Sequence, residues 1–92
     1  MGAIFDAIQH KLTAAFQPLR LEVEDDSGRH AGHAGARPGG ESHFNVTIVS
    51  EAFRGAPKVV RQRMVYRALA EELAGPVHAL SVRALAPGEA EP

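Results

Sequence analysis

Five histidines and no cysteine occur among the 92 residues. Three of them, His30, His33 and His43, fall within the glycine-rich stretch DDSGRHAGHAGARPGGESHF, residues 25–44. A fourth, His78, stands in VHAL near the C-terminus. Imidazoles can bind a transition metal, relay a proton or simply face solvent. With no thiol there is no disulfide, no cysteine zinc site and no thiol nucleophile. Any metal ligand this chain supplies is therefore nitrogen or oxygen. Neutral imidazoles suit zinc, copper or an iron–sulfur cluster better than magnesium or calcium, which take oxygen ligands. The H-x-x-H spacing of His30 and His33 can chelate from a loop, although it is equally compatible with solvated side chains. Asp25 and Asp26 lie close enough in sequence to orient a ring from behind. A closed four-ligand zinc site is hard to assemble from so glycine-rich a loop. An incomplete site, finished by a partner, fits better.

What must position these rings is a short set of elements. Ile4, Ile8 and Leu12 recur every fourth residue, widened by Phe5, Ala15 and Phe16, which predicts an amphipathic helix from Ala3 to Phe16 ended by Pro18. LRLEVED alternates, with Leu19, Leu21 and Val23 on one face, as a half-buried strand does. HFNVTIVS is a second strand with Phe44, Val46 and Ile48 inward, and EAFRGAP is a turn. A long helix is expected from Pro57 to Ala74, its apolar stripe formed by Val59, Tyr66, Leu69, Ala70 and Leu73 with Gln62 inside it. Arg67 and Glu71 are spaced to pair on its polar side. VHALSVRAL is a third strand. The whole reads as one domain over residues 1–87, with a flexible tail at 88–92.

Helix, strand, strand, helix, strand is an α+β order: a three-stranded mixed sheet with both helices on one face. The first two strands, joined by a loop, should run antiparallel. The second and third, joined through a helix, should run parallel by a right-handed crossover. The start of the third strand then lies beside the start of the second, where the long loop also sits. His78 is expected to share that end with His43 and with the loop bearing His30 and His33. By parity with Leu80 and Val82, its bland role is a partly buried, hydrogen-bonded core histidine; that of His43 is a hydrogen-bonded strand-edge residue.

Bulk properties exclude several classes. The formal net charge of −1 gives no global case for nucleic-acid binding. No apolar run approaches the ~18 residues of a membrane helix. MGAIFDAIQHK has neither a secretory-signal pattern nor, with Asp6, the myristoylation pattern, so a cytoplasmic protein without membrane attachment is expected. Ser27 and Ser42 neighbour histidines but lie in no nucleophile elbow, and no phosphate-binding GxxxxGK[ST] run occurs; no enzymatic activity is expected. A local basic face remains: Arg54, Lys58, Arg61, Arg63 and Arg67, with no acidic residue from 52 to 70. It could contact DNA or an acidic protein, or be an ordinary solvated helix face. FRGAPK has one glycine where a KH phosphate clamp has GXXG.

Taken together, LEVEDDSGRHAG, GESHFNVTIVSEAFRG and RQRMVYRALAEELAGPVHAL resemble the BolA family, over about residues 4–87. That resemblance implies the class II KH-like fold. It also implies a heterodimer with a monothiol glutaredoxin, in which the two proteins and glutathione share a [2Fe-2S] cluster in iron trafficking or iron sensing. No cofactor would then sit on the isolated chain, itself a monomer or weak dimer. One ligand implied is His78 of VHAL, and the second is His30 of SGRH. His33 and His43 are the lesser candidates, His33 because the loop is longer here than in compact relatives. Relatives are also described as transcriptional regulators. Where the family commonly has histidine this chain has Gln62, expected to change a buried hydrogen bond rather than a ligand.

Overall fold

A computed structural model describes residues 2–26 and 42–89. Their elements are α1 (Ala3–Phe16), β1 (Arg20–Asp25), β2 (His43–Val49), a 3-10 turn at Glu51–Phe53, α2 (Lys58–Ala68), α3 (Ala70–Ala74) and β3 (Ala79–Leu85). The sheet order is β1-β2-β3, antiparallel across β1/β2 and parallel across β2/β3. Phe44, Val46 and Ile48 alternate inward on the central strand and meet Phe5, Ile8 and Leu12 of α1 and Val65 and Leu69 from the α2–α3 segment in one core. This is the expected α+β layer, with helices on one face of a mixed sheet. It arises because each strand has one apolar face and each helix one apolar stripe to bury.

α1 keeps its expected limits, closed by Gln17 in a left-handed conformation (φ 45°) directly before Pro18. Ala15 is exposed rather than part of the stripe. Leu19 also departs from expectation. It lies one residue before β1, its N–H donates to the Val49 carbonyl, and its side chain is 73% exposed.

The long helix differs more. It breaks at Leu69, whose backbone (φ −108°, ψ 22°) leaves the helical region between α2 and α3. Its buried stripe is Arg61, Val65, Leu69 and Glu72, whereas Val59, Gln62 and Ala70 are exposed and Tyr66 and Leu73 are half-buried. Gln62 therefore makes no buried hydrogen bond. Nor does Glu71 pair with Arg67. Lys11 of α1 reaches Glu71 and Glu72 at 2.9 and 2.7 Å, and these two carboxylates, Glu72 foremost, raise the lysine's pKa. The helices are thus tied to each other across their polar side.

The C-terminal end is fastened as well. Gly88 takes a positive φ of 88°, open to glycine at little cost, and the turn brings the Glu89 carboxylate back onto Arg61 at 2.5 and 2.9 Å and onto the Ala86 N–H at 2.9 Å. Residues 88 and 89 consequently belong to the folded domain, not to the loose tail expected from 88.

Candidate functional site

The parallel pairing of β2 with β3 decides where the histidines go. His43 opens β2 opposite Ala79, the first residue of β3, so His78 arrives beside His43 at one end of the sheet. Ser42 fastens the junction. Its carbonyl accepts the N–H of His78 at 2.7 Å and that of Ala79 at 3.1 Å, and its hydroxyl lies 2.9 Å from His43 Nδ1. On the other side the N–H of Asp26 donates to the His43 carbonyl at 2.7 Å. Three chain segments meet within a few residues.

The two rings have opposite environments. His43 is 7% exposed; His78 is exposed, and its ring has no hydrogen-bond partner among the described residues. Their centroids are 5.5 Å apart, with the ring planes tilted by 54°. His78 is therefore not the half-buried core residue that strand parity predicts. Val77 and His78 precede β3, and Val77 instead is the buried member. Beside His43 a hollow of about 240 Å³ opens on Asp26, Asn45, Ala79 and Ser81. His30 and His33 lie outside the described residues; among the described residues the structure brings together His43 and His78.

As a donor set this rim is partial. Among the described residues no three of His, Cys, Asp or Glu stand together as metal ligands. What it offers outward is one imidazole, on a backbone anchored by strand hydrogen bonds, with a second imidazole behind it. A lone neutral nitrogen suits a metal centre whose remaining ligands arrive from elsewhere, and suits poorly a metal held by this rim alone.

The basic face is rearranged. Arg61 is 7% exposed, donating to the Ala56 and Ala84 carbonyls at 2.8 and 3.1 Å and gripping Glu89 with both ends of its guanidinium. It is a buried clasp rather than part of an exposed basic surface. Arg54 is held by Glu51 at 2.8 and 2.7 Å, which raises the guanidinium's pKa and lowers the carboxyl's. Lys58, Arg63 and Arg67 are exposed. Lys58 and Gln62 border a groove of about 230 Å³ with Val82, Arg83, Ala84 and Leu85 of β3. Of five cations read as one surface, Arg61 is buried, Arg54 is exposed but paired with Glu51, and Lys58, Arg63 and Arg67 are exposed with no ion pair among the described residues.

A small α+β domain with an anchored, outward-facing imidazole at the β2/β3 rim is the class that fold and site define. A family model described as BolA-like protein matches residues 12–89, and the chain belongs to that family. It is 45% identical over 89 residues to BolA-like protein 1 of Homo sapiens, covering 97% of this chain and 62% of that protein. The chain thus spans about three fifths of the length of such relatives. It is 51% identical over 79 residues to the DNA-binding transcriptional regulator BolA of Escherichia coli, covering 86% of this chain and 71% of that protein. The solved BolA domain of SufE1 from Arabidopsis thaliana superposes with a TM-score of 0.88 at 44% identity, covering 98% of this chain and 99% of that one. No helix among the described residues is long and apolar enough to cross a membrane.

Proposed function

We propose that this chain is a non-enzymatic partner of a monothiol glutaredoxin, contributing imidazole nitrogen to a [2Fe-2S] cluster shared by the two proteins and glutathione. The observation that supports this reading best is His78. Its ring is exposed and free of hydrogen bonds among the described residues, while its backbone is fixed to Ser42. The absence of cysteine means that thiolate must come from the other partners. When bound, the cluster supplies an electron-accepting or transferable iron–sulfur unit. The chain's own residues supply the rest: His78 offers a ring nitrogen from a backbone hydrogen-bonded to Ser42, and His30 a second from the loop, with His33 as the alternative. Imidazole in place of thiolate removes negative charge and raises the reduction potential, as histidine does in Rieske centres.

Reconstitution tests this directly. The chain is mixed with a monothiol glutaredoxin, iron, sulfide and glutathione, and visible absorption and circular dichroism are recorded. Wild type should give a spectrum distinct from that of the glutaredoxin alone. His78→Ala should return the glutaredoxin-only spectrum, and a wild-type spectrum from this variant would remove the assignment. Comparing His30→Ala with His33→Ala identifies the loop ligand.

The Escherichia coli relative's name favours a second reading, DNA binding through Lys58, Arg63 and Arg67. Each phosphate contact adds about −0.9 to the slope of log K against log salt. A slope near −3 that flattens in the triple alanine variant would support DNA binding; an unchanged slope would dismiss this face.

A further inference from the structure

We infer that His43 is a positioning residue for His78: its ring, sealed at the rim and fixed by Ser42, is the wall that restricts the rotamers of the exposed imidazole beside it. The value of that restriction to a metal centre rests on the cluster reading above. The restriction itself does not.

Ser42 is the origin of the arrangement. It is 0% exposed, and it fixes both histidines at once, the backbone of His78 through its carbonyl and the ring of His43 through its hydroxyl. Two hydrogen bonds from consecutive residues, His78 and Ala79, converge on that carbonyl, so the Cα of His78 has little freedom. Only the side-chain torsions of His78 remain loose. An exposed histidine ordinarily samples several staggered χ1 wells. Here the His43 ring stands 5.5 Å from the His78 ring, close enough to occupy the volume that alternative rotamers would sweep. The His43 ring is held in place by burial, with the Ser42 hydroxyl beside it. Alternation sets His43 opposite Phe44, so its burial adds nothing to the helix-facing core.

The shape of the wall, not its polarity, is what matters, and two substitutions separate these. His43→Phe keeps a ring and loses the Ser42 bond. His43→Asn keeps a group able to bond Ser42 and loses the ring. The readout is the pair of Hα–Hβ three-bond couplings of His78, measured by NMR on the chain without metal or glutaredoxin. Wild type and His43→Phe should show one dominant rotamer; His43→Ala and His43→Asn should show averaged couplings. Averaged couplings in wild type, unchanged couplings in His43→Ala, or recovery by asparagine instead of phenylalanine would each overturn the proposal. In the glutaredoxin mixture, His43→Ala should weaken cluster-dependent complex formation by roughly 10-fold, the usual scale for groups that orient a ligand, with phenylalanine restoring most of it. Should no cluster complex form even with wild type, the cluster reading fails while the couplings still decide the role of His43.

Discussion

Arg61→Met should lower the melting temperature by about 10 °C while leaving His78 in place. Methionine keeps the apolar stem of the arginine but ends short of the guanidinium and removes every donor. The Ala56 and Ala84 carbonyls then lose the guanidinium, and Glu89 loses the cation that holds the C-terminal turn. Orphaning two backbone acceptors at about 1 kcal/mol each, with each kcal/mol worth about 4–8 °C in a domain of this size, gives that shift. The clasp also carries a pH signature. Arg61 first, then the Ala86 N–H, holds the Glu89 carboxyl at about 2, well below its ordinary 4.5. A carboxyl whose pKa is depressed by folding stabilises the fold fully above its unfolded value and loses that contribution as pH falls through the folded one. Wild type should therefore shed this stabilisation between about pH 4.5 and pH 2. Glu89→Gln should be less stable than wild type at neutral pH and approach it at the acid end. Thermal melts by circular dichroism at pH 7, 4 and 2 measure both effects, and identical wild-type and Glu89→Gln profiles would reject the clasp.

This clasp is also where the sequence reads worst, for a physical reason. Apolar periodicity locates α1 and the strands because most of their inward positions are apolar, Ile8 and Leu12, Leu21 and Val23, Phe44, Val46 and Ile48, with buried His43 the exception on β2. In the α2–α3 segment the buried stripe starts and ends on charge, at Arg61 and Glu72, while Val59 and Val60 face solvent. Searching for apolar residues alone rotates the helix to the wrong phase, which places Gln62 inside and Arg61 outside. The signal that corrects it is long-range: a helix arginine in step with Val65 and Leu69, and an acid just past Gly88 able to meet it. No local pattern contains both.

The candidate site is legible to a different depth. Connection order brings the starts of β2 and β3 together, because adjacent strands joined through a helix ordinarily run parallel, as these do, and that suffices to place His78 near His43. Side-chain direction does not follow. Parity puts the two rings on opposite faces, yet they pack against each other, because parity applies only within a strand and His78 lies one residue before β3. Its N–H is committed to Ser42 and it stands outside the strand, so its side chain does not follow the pleat. The consequence for function is large. The strand reading makes His78 a satisfied core residue, whereas its place just before the strand leaves it exposed.

The same geometry means that the rim depends on the core directly beneath it. Phe44 follows His43 on β2, is 2% exposed, and sits opposite both Asp25 and Leu80 in the two strand pairings. Phe44→Ala should destabilise the domain by about 3–5 kcal/mol, the usual loss for deleting a fully buried phenyl ring and leaving part of its cavity. Against the 5–15 kcal/mol typical of small domains, that is a large fraction of the whole. Leu19→Ala, at the exposed position, should stay within about 0.5 kcal/mol and serves as the control. Urea denaturation monitored by circular dichroism gives both values. Amide hydrogen exchange then separates a structural effect from a chemical one. In Phe44→Ala the amides of His78 and Ala79, both bonded to the Ser42 carbonyl, should exchange faster because the β2/β3 junction has lost its support. In His78→Ala the same region should keep wild-type protection at Ala79, since only an outward-facing ring has been removed. A variant that loses cluster formation with the junction intact implicates the imidazole itself; one that loses it with the junction loosened implicates its foundation. Equal exchange at Ala79 in wild type and Phe44→Ala would mean that the rim stands independently of the core below it.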